Sequence, residues 1–278
     1  MQVEKHVLQG VPFLLWLPED ARHVPLVIYI HGFTGDKGGG MELSLRLAER
    51  GLACLSLDAA MHGERLDASI RDTFLHPMPE DIYPFESGLD RFYRMLKIVE
   101  QTAADISGLL DALAGDERLD VQRAGVCGAS MGGLIGYLAA AREPRLRVAV
   151  PQISLGNIAE RWQDALLEAE MDPQWVEALH AQRAETERRT AWVCEQLDPV
   201  HALCTRFAPR PLLMQCGDLD TDLPKGYSVR LYRQLCGSYA ANPQALQLRV
   251  YDGVAHRVTS RMTREAADWL ALHLLVGA

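Results

Sequence analysis

The six residues Gly128-Ala129-Ser130-Met131-Gly132-Gly133 set one hydroxyl between small residues in the pattern Gly-x-Ser-x-Gly. On a sharp strand-to-helix turn, such a serine is held at a strained backbone angle with its hydroxyl exposed, which suits a nucleophile in acyl transfer. A Cβ at Gly128 or Gly132 would crowd the turn. The N-terminus of the following helix aims backbone N–H groups at the negative charge that develops on an attacked carbonyl. Three fixed positions match by chance in roughly one chain in ten of this length, so the flanking residues decide. Here an apolar run over 124–127 reads as a strand before the motif, and 131–141 reads as a helix after it.

A serine hydroxyl is a weak nucleophile at neutral pH and needs a base, itself oriented by an acid. With the serine on this kind of turn, the acid and then the histidine follow it in the chain. Tyr251-Asp252-Gly253-Val254-Ala255-His256 closes the last apolar run, so His256 is the expected base. His273 also lies beyond the acid candidates, but it belongs to an amphipathic helix with Trp269, Leu270 and Leu274. The acid is expected from Gly217-Asp218-Leu219-Asp220-Thr221-Asp222-Leu223-Pro224, which offers three candidates. The Asp-x-Asp-x-Asp spacing does not make a calcium loop, because Leu223 stands where glycine is needed and Val229 where a bidentate glutamate is needed.

Two backbone donors should meet the oxyanion. His31-Gly32-Phe33-Thr34-Gly35 follows the strand read over 26–30, so the N–H of Phe33 is expected as one donor and that of Met131 as the other. His31 is read as structural, its imidazole holding the loop by hydrogen bonds. Asp36-Lys37-Gly38-Gly39-Gly40 lacks the Gly-Lys-Ser/Thr ending of a phosphate loop.

These residues need a scaffold, and the apolar pattern supplies one. Strands are read over 26–30, 52–57, 124–127, 148–150, 211–216 and 246–251, with helices over 40–50, 91–113 and 131–141 between them. Strands apolar throughout are buried on both faces, so a mostly parallel sheet flanked by helices is expected, an α/β class. The run over 11–17 is read as adding antiparallel strands at the sheet edge. One domain is expected over 1–278. Two stretches break the alternation. Residues 65–85 are read as a loop, with Pro77, Pro79 and Pro84 interleaved with Phe74, Tyr83 and Phe85. Residues 157–206 are helical in pattern and carry Trp162, Trp175 and Trp192; they are read as a lid insertion whose tryptophans either line a pocket or pack the helices on the body.

Composition narrows the class further. A formal charge of −9 argues against nucleic acid, which calls for clustered Lys and Arg. The first residues have no basic region followed by an apolar stretch, and no apolar run reaches the roughly 18–20 residues of a membrane span, so neither a signal peptide nor a membrane partner is expected. The six cysteines form no Cys-x-x-Cys pair, which fits a reduced, cytoplasmic protein.

Three stretches carry a family resemblance: His31-Gly32-Phe33-Thr34-Gly35-Asp36-Lys37, Asp58-Ala59-Ala60-Met61-His62-Gly63-Glu64-Arg65, and the segment around Ser130. In this order they resemble small bacterial carboxylesterases of the dienelactone hydrolase and prolyl oligopeptidase-like branch of the α/β hydrolases. The resemblance spans 26–256. It implies the α/β-hydrolase fold and cleavage of short-chain carboxylic esters, small molecules, through an acyl-enzyme on Ser130, with no metal and no organic cofactor. It also selects Asp220 as the acid, through the spacing Gly-x-x-Asp-x-x-Leu-Pro. Dienelactone hydrolases proper use cysteine where this chain has Ser130, which disfavours lactone chemistry; Cys216 stands where relatives often have histidine. The His62-Gly63-Glu64-Arg65 element is read as bracing the site's rim by ion pairing rather than acting on substrate. A thioesterase, a sugar deacetylase or a peptidase would use the same three side chains, and a silent binding domain would use none of them.

Overall fold

In the computed structural model, residues 1–66 and 87–275 are described, so nearly all of the proline-rich loop read over 65–85 lies outside the described residues. Eight strands form one sheet: β1 (Gln2–Leu8), β2 (Val11–Leu17), β3 (Val24–Ile30), β4 (Ala53–Leu57), β5 (Leu119–Ala129), β6 (Leu146–Gln152), β7 (Leu212–Gly217) and β8 (Leu246–Tyr251), in the order β1-β2-β4-β3-β5-β6-β7-β8. β1 pairs antiparallel with β2, and β2 with β4; every other neighbouring pair is parallel. This is the expected mostly parallel α/β sheet with an antiparallel edge. The edge is a hairpin closed by Gln9 and Gly10, both at positive φ (51° and 77°), as a two-residue type I′ turn requires.

The helices are α1 (Met41–Ala48), α2 (Gly88–Ala112), α3 (Met131–Arg142), α4 (Ile158–Met171), α5 (Val176–Ala181), α6 (Arg183–Trp192), α7 (Lys225–Leu235) and α8 (Ser260–Leu275), with shorter turns between them. Along β3, Leu26, Ile28 and Ile30 pack into one core with residues of α2 and α3, while Val27 and Tyr29 pack into a second core with α1 and α8. Side chains alternate faces along a strand, so a strand covered on both sides must be apolar at every position. α3 shows the same logic in a helix: it is buried continuously from Met131 to Ala141 and has no polar face.

Between β6 and β7 the chain forms α4, α5 and α6 followed by two wide helical turns, Val193–Leu197 and Leu203–Phe207. Trp162 of α4 is fully buried, stacks on Phe92 of α2 at 6.3 Å between ring centres, and donates its Nε1–H to Thr190 Oγ1 of α6 at 2.9 Å. Trp192 meets Tyr93 edge-on at 5.4 Å. These two tryptophans therefore join the inserted helices to α2, the packing alternative read for them. Trp162→Ala should lower the unfolding free energy by about 3–5 kcal/mol in urea titrations, because it removes a large buried ring and leaves the Thr190 hydroxyl without its donor. A loss below about 1 kcal/mol would show that this seam contributes little to the fold.

Candidate active site

Ser130 is the single residue between the last position of β5 and the first of α3, and its backbone is left-handed, φ 53° and ψ −116°. A non-glycine residue held there costs on the order of 1–3 kcal/mol and persists only where its surroundings over-determine it. They do. Ser130 N–H donates to Gln152 O of β6 at 2.9 Å, and Ser130 O accepts from Gly133 N, Leu134 N and Ser154 Oγ at 2.9, 3.1 and 2.8 Å. A Cβ on Gly132 would collide with the carbonyls of Ile30 and His31, and one on Gly128 with the carbonyl of Gly132.

His256 and Asp220 arrive on loops after β8 and β7. The two loops bind each other through Asp218 N–H to Tyr251 O at 3.1 Å and Leu219 N–H to Val254 O at 3.0 Å. Gly217 permits this approach, since a Cβ there would strike Val254 O. The result is a hydrogen-bonded chain: Asp220 Oδ2 lies 2.8 Å from His256 Nδ1, and His256 Nε2 lies 2.9 Å from Ser130 Oγ. A carboxylate only accepts, so Nδ1 carries the hydrogen and Nε2 is left to accept from the hydroxyl. The other oxygen of Asp220 accepts the backbone N–H of Asp222 and Leu223 at 3.0 and 2.8 Å, and its side chain is fully buried. Asp222 is exposed and Asp218 half-buried; neither is paired with His256.

The loop after β3 lies against this turn, with an ideal Cβ on Gly32 standing 3.6 Å from Ser130 Cβ. It is pinned by His31, whose Nδ1–H donates to Gly32 O at 2.7 Å while Nε2 accepts from Ala59 N–H at 3.1 Å. Burial lowers the His31 pKa and keeps the ring neutral, as that donor–acceptor pattern needs. Phe33 follows Gly32, with its ring edge-on to His62 at 5.1 Å. Met131 opens α3, where a helix leaves its first N–H groups without internal acceptors.

Behind this loop is an ion-pair network that sequence reasoning resolved only in part. Asp58 is fully buried at the end of β4; its Oδ1 accepts Lys37 N–H at 2.8 Å, and its Oδ2 accepts Lys37 Nζ at 2.7 Å and Glu64 N–H at 3.0 Å. Lys37 also pairs with Glu64 at 2.6 Å, and Arg65 with Asp105 at 2.7 Å. The Lys37 ammonium is the main reason the Glu64 carboxyl is drawn down to about 2. Glu64 and Arg65 thus each take part in an ion pair, and Asp58 is the hub that had no assigned role. Its signal in the sequence was a lone carboxylate directly after an apolar strand. Among the described residues, no group of three or more His, Cys, Asp or Glu is placed to hold a metal ion.

Comparison with known proteins bears on this geometry. A sequence profile of the Prolyl oligopeptidase family matches residues 90–274. Esterase YjfP of Escherichia coli (strain K12) is 27% identical over 99% of this chain and 100% of its own length. The structure of TT1662 from Thermus thermophilus superposes with a TM-score of 0.68 at 22% identity, covering 99% of both chains. An acetyl xylan esterase from Paenibacillus sp. R4 gives a TM-score of 0.65 at 20% identity, covering 98% of this chain and 88% of that one. At such identities the structural likeness establishes the fold.

His62 lends the site a pH signature. Its Nδ1–H donates to Ala60 O at 2.8 Å, and burial pulls its pKa from 6.5 down to about 4. As pH falls, the unfolded chain takes up this proton before the folded one. The contribution of neutral His62 is therefore complete above about pH 6.5 and is lost between there and pH 4, at up to about 1.4 kcal/mol per pH unit. Urea midpoints should fall across this window, and His62→Leu should flatten the fall; an unchanged slope in the variant would remove His62 from the account.

Proposed function

The chain belongs to the prolyl oligopeptidase family of α/β hydrolases, and from that premise we propose that it is a serine carboxylesterase acting on small, short-chain carboxylic esters through an acyl-enzyme on Ser130. The observation that carries this reading is the chain from Asp220 Oδ2 through His256 to Ser130 Oγ, at 2.8 and 2.9 Å. The name of the full-length relative, Esterase YjfP, supports ester hydrolysis over the other chemistries that such a chain of side chains could serve.

In the proposed reaction Ser130 Oγ attacks the ester carbonyl as His256 Nε2 takes its proton. The tetrahedral oxyanion rests on the backbone N–H groups of Phe33 and Met131. The alcohol then leaves with the proton from His256, and water hydrolyses the acyl group by the same route in reverse roles. Asp220 holds the imidazole in the tautomer with Nδ1 protonated and stabilises the imidazolium. The two backbone N–H bonds onto its other oxygen keep it oriented for that task. Phe33 packs edge-on against His62 and follows Gly32, whose ideal Cβ position lies 3.6 Å from Ser130 Cβ. The buried, unpaired thiols of Cys54, Cys127 and Cys216 suit a reducing compartment such as the cytoplasm.

Three measurements test the reading. Ser130→Ala should abolish hydrolysis of p-nitrophenyl acetate and labelling by a fluorophosphonate while leaving the circular dichroism spectrum unchanged. Asp220→Asn should lower kcat by about 10³–10⁴-fold, whereas Asp218→Asn and Asp222→Asn should stay within about threefold. Turnover retained in Ser130→Ala would end the proposal, and a large loss in Asp218→Asn alone would move the acid. Across p-nitrophenyl esters, kcat/KM should fall from acetate and butyrate to octanoate; a rise along that series would remove the short-chain assignment.

A further inference from the structure

A chain of buried polar side chains crosses the sheet on the side covered by α8. Gln152 of β6 and Gln215 of β7 are 2% and 1% exposed and lie opposite each other in the strand register. On the same face, Gln152 follows Val148 and Val150, and Gln215 follows Leu213, all packed into the core with Leu270 and Leu274 of α8. A leucine or methionine would fill either position with no polar group to satisfy, whereas a buried amide is costly unless its partners are in place. Here they are. Gln152 Nε2 donates to Gln215 Oε1 at 2.8 Å, and Gln215 Nε2 donates to Tyr251 Oη at 2.6 Å and to Met262 O at 3.2 Å. Tyr251 Oη in turn donates to Glu265 Oε2 at 2.6 Å, and Arg249 and Arg261 close the chain on that carboxylate at 2.8 and 2.9 Å.

The carboxylate sets the direction of every bond. Burial opposes the charge on Glu265, but hydrogen bonds from Tyr251, Arg261 and Arg249 outweigh it and draw the pKa down to about 2, so this group only accepts. Burial also raises the Tyr251 pKa and keeps its hydroxyl protonated as the donor. The Tyr251 oxygen is then left to accept from the Gln215 amide, and the Gln215 carbonyl from the Gln152 amide. Each amide has one satisfied orientation, and the bonds reinforce one another along the chain.

The same three residues hold the active site with their backbones. Gln152 O accepts the Ser130 N–H at 2.9 Å. Gln215 O accepts the Ile153 N–H at 2.6 Å, in the turn that carries the Ser154 hydroxyl to Ser130 O. Tyr251 O accepts the Asp218 N–H at 3.1 Å, where the acid loop begins, and Tyr251 itself ends β8 before the loop to His256. Side chains that fix how β6, β7 and β8 lie beside one another thus belong to the residues whose carbonyls anchor the turn and the loops. Proton transfer tolerates little lateral error, since misplacing reacting groups by about 1 Å costs on the order of 100-fold in rate.

We propose that Gln152, Gln215 and Tyr251 are positioning residues for acyl transfer at Ser130, an inference that rests on the esterase reading. Their linked side chains hold the ends of β6, β7 and β8 in one arrangement, and their carbonyls pass it to the segments that bear Ser130, Asp220 and His256.

Two rates measured on the full chain test this: labelling by a fluorophosphonate, which reads the Ser130–His256 geometry without an ester, and hydrolysis of p-nitrophenyl acetate. Tyr251→Phe and the pair Gln152→Met/Gln215→Met should each lower the labelling rate constant and kcat by about tenfold or more, with KM within about twofold of wild type. The methionine pair keeps the layer filled, and Tyr251→Phe, which removes one oxygen, serves if that pair does not fold. Val150→Ala opens a small cavity two residues before Gln152 on the same face, and should lower the urea midpoint yet keep both rates within about twofold. Rates within about twofold of wild type in a chain variant that folds, a loss carried by KM alone, or an equal loss in Val150→Ala would each overturn the positioning role. In each of those outcomes a reactive wild type leaves the esterase reading standing, whereas a wild type inert to both reagents would end that reading and this role together.

Discussion

The contact that the rest of the site depends on is the approach of Gly132 to the carbonyls of Ile30 and His31. It brings the first turn of α3 onto the end of β3, where any side chain would hold the two apart. That approach is available because β5 lies between β3 and β6 in the sheet. One neighbour receives Gly132, and the other receives the Ser130 N–H on Gln152 O. The left-handed backbone at Ser130 is thus enforced from both sides, and its hydroxyl is fixed before any ligand arrives.

The parallel sheet then decides where everything else must be. Strands running the same way deliver their following loops to one edge, so loops after β3, β4, β7 and β8 converge around the turn after β5. Convergence alone would leave them mobile, and each is tied to its neighbour by groups that leave little freedom. His31 joins the β3 loop to the β4 loop through Ala59 N–H, Asp58 gathers Lys37 and the backbone of Glu64, and the acid loop donates two backbone N–H groups to carbonyls at the end of β8 and in the histidine loop. Asp58 is a buried charge, which would be costly alone, yet its carboxylate accepts from the Lys37 ammonium and from the backbone N–H groups of Lys37 and Glu64.

Much of this was legible in the residues, for identifiable reasons. β3, β4, β7 and β8 lie within a residue or two of their expected spans because burial on both faces leaves an unbroken apolar run. β5 begins five residues before its expected start, since Asp120, Gln122 and Arg123 interrupt the pattern at the sheet's end, where Arg123 can pair with Asp120 at 2.5 Å. β1 was hidden for a similar reason: as an edge strand it carries Glu4, Lys5 and His6 and buries nothing fully. The placement of Ser130 and His256 follows from turn chemistry and chain order. Three aspartates at two-residue spacing are chemically equivalent, and the choice of Asp220 came from a family spacing. The structure separates them by loop path, directing one carboxylate inward to His256 and leaving Asp222 in solvent.

Backbone conformation gives the same edge of the sheet a second mark that no residue pattern announces. After each of the four consecutive parallel neighbours β4, β3, β5 and β6 there is one left-handed non-glycine residue: Met61 at φ 59°, Thr34 at 65°, Ser130 at 53° and Ile153 at 43°. Ile153 is the least expected, since a branched Cβ is strongly disfavoured there. Its N–H is bound to Gln215 O at 2.6 Å, and the bend turns the next residue, Ser154, so that its hydroxyl reaches Ser130 O at 2.8 Å. Strain at one turn is thus stabilised by a bond that requires strain at the next. A sheet selected for stability alone would relax four such positions with glycine. Their gathering at one edge, around the only serine whose hydroxyl faces a histidine among the described residues, marks that edge as the part of the fold held in place for chemistry.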